Sequence, residues 1–114
     1  MFTEIEIKRI QKSLDELLKK RRPPPELRNR LDINYKIEKG KVEIFTTRPK
    51  WNDSSQFIES PIAKATFVLK DNIWKVYWQK SDLKWHSYNP KPFVRYIEEF
   101  VKTVDLDEFG CFWG

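Results

Sequence analysis

Apolar residues near the start of the chain recur every three or four positions, which predicts an amphipathic helix over residues 3–21. Thr3 and Glu6 have the spacing of a capping box, and the prolines from Pro23 onward end the helix. The basic run 19–22 could serve as a nucleic-acid patch, but cations that complement a helix C-terminus are the more common explanation. The predicted core stripe is Ile7, Ile10, Leu14, Leu17 and Leu18.

Strict alternation of apolar and polar residues over residues 31–45 predicts a β-hairpin. A two-residue turn at Lys39–Gly40 would place apolar residues opposite one another on one face and opposite charges on the other. The predicted pairs are Ile37 with Val42, Tyr35 with Ile44, Lys36 with Glu43, and Glu38 with Lys41.

The segment 48–60, RPKWNDSSQFIES, has the composition of a loop. It is long for a connection between strands, and long ordered loops often carry function. Trp51 lies within it, and so large an apolar side chain is expected to fill the core rather than to stay exposed.

Three further strands are predicted between Pro61 and Tyr88, with turns at residues 71–72 and 81–82. These turns give an apolar face on which Leu69 faces Trp74, Phe67 faces Val76, Ala65 faces Trp78, and Trp78 faces Trp85. The opposite face would be polar and solvated if helices cover only the apolar one. Its predicted rows are Lys64, Gln79 and Lys84; Thr66, Tyr77 and His86; and Val68, Lys75 and Tyr88.

A second helix is predicted over residues 92–104, with Pro92 in its first turn. The aromatic end of the chain is expected to fold back onto the domain, since an exposed aromatic tail would favour aggregation. The predicted fold is a single α+β domain, residues 1–114, with about five antiparallel strands in a meander and both helices on one face of the sheet. The predicted core stripe of this helix is Phe93, Ile97, Phe100, Val101 and Val104.

Composition limits the function classes. The chain has 114 residues, a net charge of +5 and a pI near 9.3, which favours contact with polyanions without establishing it. The single cysteine, Cys111, excludes an intramolecular disulfide and a zinc site of paired cysteines. The first residues lack the basic and then apolar pattern of a signal peptide, and no apolar run could span a bilayer. We expect a cytoplasmic protein with no cofactor, no metal site and no membrane partner.

The polar sheet face is the main candidate for function. Lysines there could contact phosphates, while aromatic rings could stack on bases, as in platforms that bind single-stranded nucleic acid. The first hypothesis is therefore a module that binds single-stranded nucleic acid or another phosphate-bearing ligand. The chain contains no established nucleic-acid-binding motif, and an ordinary solvated face would use the same residue types. The candidate ligand-binding residues are Arg48, Lys64, Lys75, Tyr77, Lys84, His86 and Tyr88.

Two other functions stay open. His86 is the only histidine, and with Arg48 it could form an anion site in an enzyme, but Ser87 points away from it and Cys111 has no evident base. No catalytic residue is assigned for this reason. Alternatively, an exposed edge strand or an exposed Trp51 could make the chain a protein-interaction or homodimerising module.

Several motifs occur together in an order that is more specific than any of them alone. They are RPKW at residues 48–51, ESPIAKATFV at 59–68, the strand WKVYW at 74–78, DLKWHSY at 82–88 and the terminal GCFWG. In this respect the chain resembles a small bacterial family, the domain of unknown function 3024. The resemblance covers essentially the whole chain and implies a stand-alone bacterial domain of this size, but it implies no activity.

Overall fold

A computed structural model describes residues 2–113. The fold consists of two helices and a six-stranded antiparallel sheet, which confirms the α+β fold class. The helices are α1 (Glu4–Arg21) and α2 (Ile97–Leu106), with a short 3-10 turn at Pro25–Leu27. The strands are β1 (Asp32–Glu38), β2 (Lys41–Lys50), β3 (Asp53–Val68), β4 (Ile73–Gln79), β5 (Trp85–Ser87) and β6 (Phe93–Val94).

The sheet is one continuous meander in the order β1-β2-β3-β4-β5. The short β6 pairs with the first half of β4, beside the half that pairs with β5. Both helices pack on the same face, as predicted, and share one core with alternate residues of the central strands. Fully buried members of this core are Leu14, Val42, Ile44, Ala63, Ala65, Val76, Phe100 and Val104. No helix within residues 2–113 has both the length and the apolar character needed to cross a membrane.

The predicted first helix and first hairpin are confirmed. Thr3 Oγ1 accepts a hydrogen bond from the Glu6 backbone N–H at 3.2 Å, and the Thr3 N–H donates to Glu6 Oε1 at 2.9 Å, which completes the capping box. The β1–β2 register matches all four predicted pairs. Gly40, at φ 67°, supplies the left-handed conformation that the two-residue turn needs.

The predicted loop at 48–60 is wrong, because β2 and β3 continue through it as a long hairpin that turns at residues 51–52. We call Thr46–Ser60 the arm. Pro49 is tolerated in β2 because β1 ends its pairing at Thr47, so that Pro49 lies on an edge where no N–H is required. Trp51 lies at the tip and is 95% exposed, so the expectation that it fills the core is also wrong.

The β3–β4 register differs from the prediction by two residues. The loop contains four residues, 69–72, instead of two, so Phe67 faces Trp74, Ala65 faces Val76 and Ala63 faces Trp78. A shift of two leaves each side chain on its predicted face. Leu69 nevertheless leaves the sheet and is 81% exposed.

The β4–β5 register differs by one residue, and this shift changes faces. Three residues, 81–83, form the loop, with Leu83 in the left-handed region at φ 63°. Trp78 therefore pairs with His86, and Gln79 pairs with Trp85. The prediction that Trp85 belongs to the apolar face is wrong, and so is the placement of His86 on the polar face.

The C-terminal region partly matches the prediction. Helix α2 begins at Ile97 instead of Pro92, because Phe93 and Val94 extend the sheet, and Phe93 is exposed rather than in the core. The tail folds back as expected: Phe112 is buried against Tyr88, with ring centroids 4.8 Å apart. Phe109 stays exposed.

Candidate functional site

The sheet face opposite the helices carries mixed lysines, glutamates and aromatic rings. We call this surface the open face. Strand pairing places these side chains side by side, since directly paired residues project to the same face. The open face consists of Asn34, Lys36, Glu38, Lys41, Glu43, Phe45, Lys64, Thr66, Lys75, Tyr77, Gln79, Trp85, Ser87 and Phe93.

Lys64 lies at the centre of the open face. Its Nζ is 4.9 Å from the centroid of the Tyr77 ring and 4.7 Å from that of Trp85, in cation–π geometry with both. Burial lowers the pKa of Lys64, Lys41 lowers it further, and Glu43 acts in the opposite direction. The ammonium thus lies against two half-buried rings, and a bound anion would offset both its desolvation and its repulsion from Lys41.

The charges of the open face are unevenly paired. Lys36 Nζ lies 3.0 Å from Glu59 Oε1, and Lys41 Nζ lies 3.6 Å from Glu38 Oε2. Lys64 and Lys75 have no carboxylate within 4.0 Å among the residues that the structure describes. These two lysines lie on neighbouring strands, and both are available to phosphate oxygens.

The structure unites only part of the predicted site. Lys64, Lys75 and Tyr77 do share the open face. Lys84 lies at the end of the β4–β5 loop, where its backbone N–H donates to Asp82 Oδ1 at 2.9 Å, and it does not pair with Gln79. Tyr88 is buried on the helix side, so its predicted place on the polar face is wrong.

His86 lies on the helix side, in a shallow cleft with Trp78, Lys80 and Cys111. His86 Nε2 is 2.9 Å from Asp82 Oδ2. The hydrogen bond from the Lys84 N–H, followed by the contact with His86, lowers the pKa of Asp82. Burial and Asp107 raise the pKa of the Cys111 thiol, which disfavours the thiolate that a nucleophile needs. The contacts of His86 therefore favour a structural role in the β4–β5 loop.

Arg48 lies on the arm, away from His86. Strands β3 and β4 separate their two strands, so three inter-strand spacings of about 4.8 Å, or roughly 14 Å, lie between them. The cleft that holds His86 does not include Arg48. The anion site suggested for an enzyme is thus not formed. Within residues 2–113, no group of three histidine, cysteine or acidic side chains could hold a metal ion.

Sequence reasoning missed two aromatic residues of the open face: Phe93, which was predicted to lie in the core, and Trp85. The segment KSDLK between the two strands fits a three-residue loop as well as a two-residue one, because a type I turn followed by a left-handed residue is a common hairpin connection. Leu is an unusual choice for that left-handed position. Because Leu is unexpected there, the sequence favoured the two-residue loop, and the register that puts Trp85 on the same face as Tyr77 was not predicted.

The model of a family described as a domain of unknown function, DUF3024, matches residues 2–114. The chain belongs to this family. No curated protein and no solved structure gives a significant match.

Proposed function

We propose that the open face of this DUF3024 domain binds single-stranded nucleic acid. The observation that carries the proposal is Lys64, whose ammonium lies between Tyr77 and Trp85 without a carboxylate partner among the described residues. Non-specific single-strand binding combines cations that contact the backbone with aromatic rings that stack on bases. Lys64 and Lys75 supply the first element, and Tyr77 and Trp85 supply the second.

Each residue has a stated role in this proposal. Phosphates pair with Lys64 and Lys75, and the displacement of the Lys64 ammonium toward a phosphate frees the faces of the two rings. Bases then stack on Trp85 and Tyr77, and Gln79 and Ser87 offer hydrogen bonds at the same edge of the sheet. The net charge of +5 assists encounter with a polyanion. Because Glu38 and Glu43 offset part of the positive charge of the lysines on the open face, we expect modest affinity for single-stranded nucleic acid.

The test is fluorescence anisotropy with a labelled 15-mer of thymidine at several salt concentrations. Loss of Trp85 in Trp85→Ala is expected to weaken binding by about 1–3 kcal/mol, the usual contribution of one stacked base. Lys75→Ala is expected to weaken binding and to reduce the slope of log K against log salt by about 0.7.

Two matched controls isolate the open face. Lys12→Ala removes the same charge from the outer side of α1, and Phe109→Ala removes an exposed aromatic ring from the C-terminal tail. Both controls should bind as the parent does. The proposal fails if the parent does not bind the oligonucleotide, or if Lys75→Ala behaves like Lys12→Ala.

A further inference from the structure

The tip of the arm carries a large apolar side chain that packs against nothing. Trp51 is 95% exposed, and Phe57, further along the arm, is 55% exposed. Beyond Thr47, the arm extends past the ends of β1 and β4 and no longer pairs with either strand. The molecule is elongated, with extents of 45 × 31 × 24 Å. Trp is rarely left fully in water, and exposed indoles are frequent contact residues in complexes. The tip therefore has the character of a binding element.

The charges of the arm favour an anionic partner. Both of its carboxylates are engaged: Asp53 Oδ1 accepts hydrogen bonds from Ser55 Oγ at 2.6 Å and Ser55 N at 3.1 Å, and Glu59 pairs with Lys36. Arg48 and Lys50 have no carboxylate within 4.0 Å in the described part of the chain. Asp53 keeps its negative charge, because its hydrogen-bond donors on Ser55 are neutral, but Arg48 and Lys50 outnumber it, so the net charge next to Trp51 is positive.

Strand addition by a second copy is disfavoured at the free edge of β3. Lys50 pairs with Asp53, whereas the preceding Pro49 pairs with Phe57, and this shift in register interrupts the edge of β3. Glu59 and Pro61 lie further along the same edge. Irregular pairing, charges and prolines are the means by which edge strands avoid pairing with other chains. A nucleic-acid strand needs no free backbone edge, since it binds through ring faces and cations.

We propose that Trp51 and Lys50 form a second contact point for the same single strand that the open face binds. The inference rests on the proposed function. Trp51 lies eight positions along the chain from Glu43, which is beside Lys64, and eight strand rises of 3.3 Å correspond to about 26 Å. Even when it is extended to about twice the duplex rise of 3.4 Å per nucleotide, a four-nucleotide strand spans roughly 20 Å and does not reach both points. A 15-nucleotide strand reaches both.

The test compares thymidine oligonucleotides of 4 and 15 nucleotides by fluorescence anisotropy. Trp51→Ala is expected to weaken binding of the 15-mer about tenfold and to leave binding of the 4-mer unchanged. Trp85→Ala is expected to weaken binding of both. Trp51→Phe keeps an aromatic ring and should retain most of the affinity. Because Trp51 touches no core residue, its variants should unfold at the same temperature as the parent.

The outcomes separate the two proposals. If neither oligonucleotide binds, both proposals fail. If the 4-mer binds and Trp51→Ala leaves the 15-mer unaffected, the role of the arm fails and the open-face proposal stands. If light scattering shows a dimer that Trp51→Ala converts to a monomer, the tip is a contact between copies of this chain, and its assignment to nucleic acid is overturned.

Discussion

The guanidinium of Arg21 lies over the indole of Trp113, with its carbon 4.6 Å from the ring centroid. The contact joins the last turn of α1 to the C-terminal tail. Trp113 Nε1 also donates to the Val104 carbonyl at 2.8 Å, so the indole is fixed at both its face and its edge. The two helices and the tail are thereby held as one layer over the sheet.

Asp107 is the residue that turns the chain from α2 into this tail. It has the left-handed φ of 42°, and its carboxylate accepts from Phe112 N at 3.0 Å and Trp113 N at 2.9 Å. Asp107→Ala loses both acceptors and is expected to reduce the free energy of unfolding by about 1–3 kcal/mol. Asp107→Asn keeps one acceptor oxygen and tolerates the left-handed conformation, so it should cost less. Urea unfolding of the two variants measures the difference, and equal losses would contradict the capping role.

Asp105 carries an acid-sensitive link between the helices. Lys20 and Arg21 donate to it at 2.6 and 3.0 Å and hold the pKa of its carboxyl below the usual value. A lowered carboxyl pKa gives stability that is present above the unfolded pKa and is lost as pH falls through the folded one. Asp105→Asn is expected to cost about 1 kcal/mol at pH 7 and to flatten the stability profile below pH ~4. Thermal unfolding of both proteins between pH 7 and 2 measures this difference. If the stability of the variant and of the parent falls in parallel as the pH decreases, the assigned role of Asp105 is refuted.

Tyr35 provides the corresponding test at high pH. Its hydroxyl donates to Asp15 Oδ1 at 2.8 Å, and burial, followed by this bond, raises its pKa to about 12. A raised phenol pKa gives stability that is present below the unfolded value, near 10, and is lost as pH rises through the folded one. Tyr35→Phe should remove that loss between pH 10 and 12. Asp15→Asn, made with Tyr35 in place, should bring the pKa of the Tyr35 phenol, measured by an absorbance titration, closer to 10. No change in that titration would contradict the assigned cause.

Loop length explains which parts of the sheet could be predicted. Opposite charges on both sides of Lys39–Gly40 fixed the first hairpin, since any other register would have broken the pairs. The loop at 69–72 is two residues longer than expected, and side chains alternate with period two, so the faces of Phe67 and Trp74 were still correct. The loop at 81–83 is one residue longer, and for that reason Trp85 and His86 exchanged faces.

Composition misled the prediction of the arm. The segment contains Pro49 and the polar run 52–55, which are typical of loops, yet a two-stranded ribbon forms because Pro49 lies beyond the end of β1. The candidate site was therefore half predicted. Lys64, Lys75 and Tyr77 were identified by alternation alone, whereas Trp85 and the exposure of Trp51 depend on loop geometry that the local sequence leaves undetermined.

The left-handed Leu83 gives a direct test of the loop that sets the β4–β5 register. A left-handed conformation costs a residue with a side chain roughly 1–2 kcal/mol, and Leu83, at 77% exposure, gains little from burial. Leu83→Gly removes that cost, but the greater backbone freedom of glycine lowers the free energy of the unfolded chain by about 0.4–1 kcal/mol. We expect a net stabilisation of about 0.5 kcal/mol, measured by urea unfolding. Leu83→Ala keeps the steric cost and should not stabilise. If Leu83→Gly is the less stable of the two, the loop does not hold this residue in the left-handed region, and the register that places Trp85 on the open face loses its support.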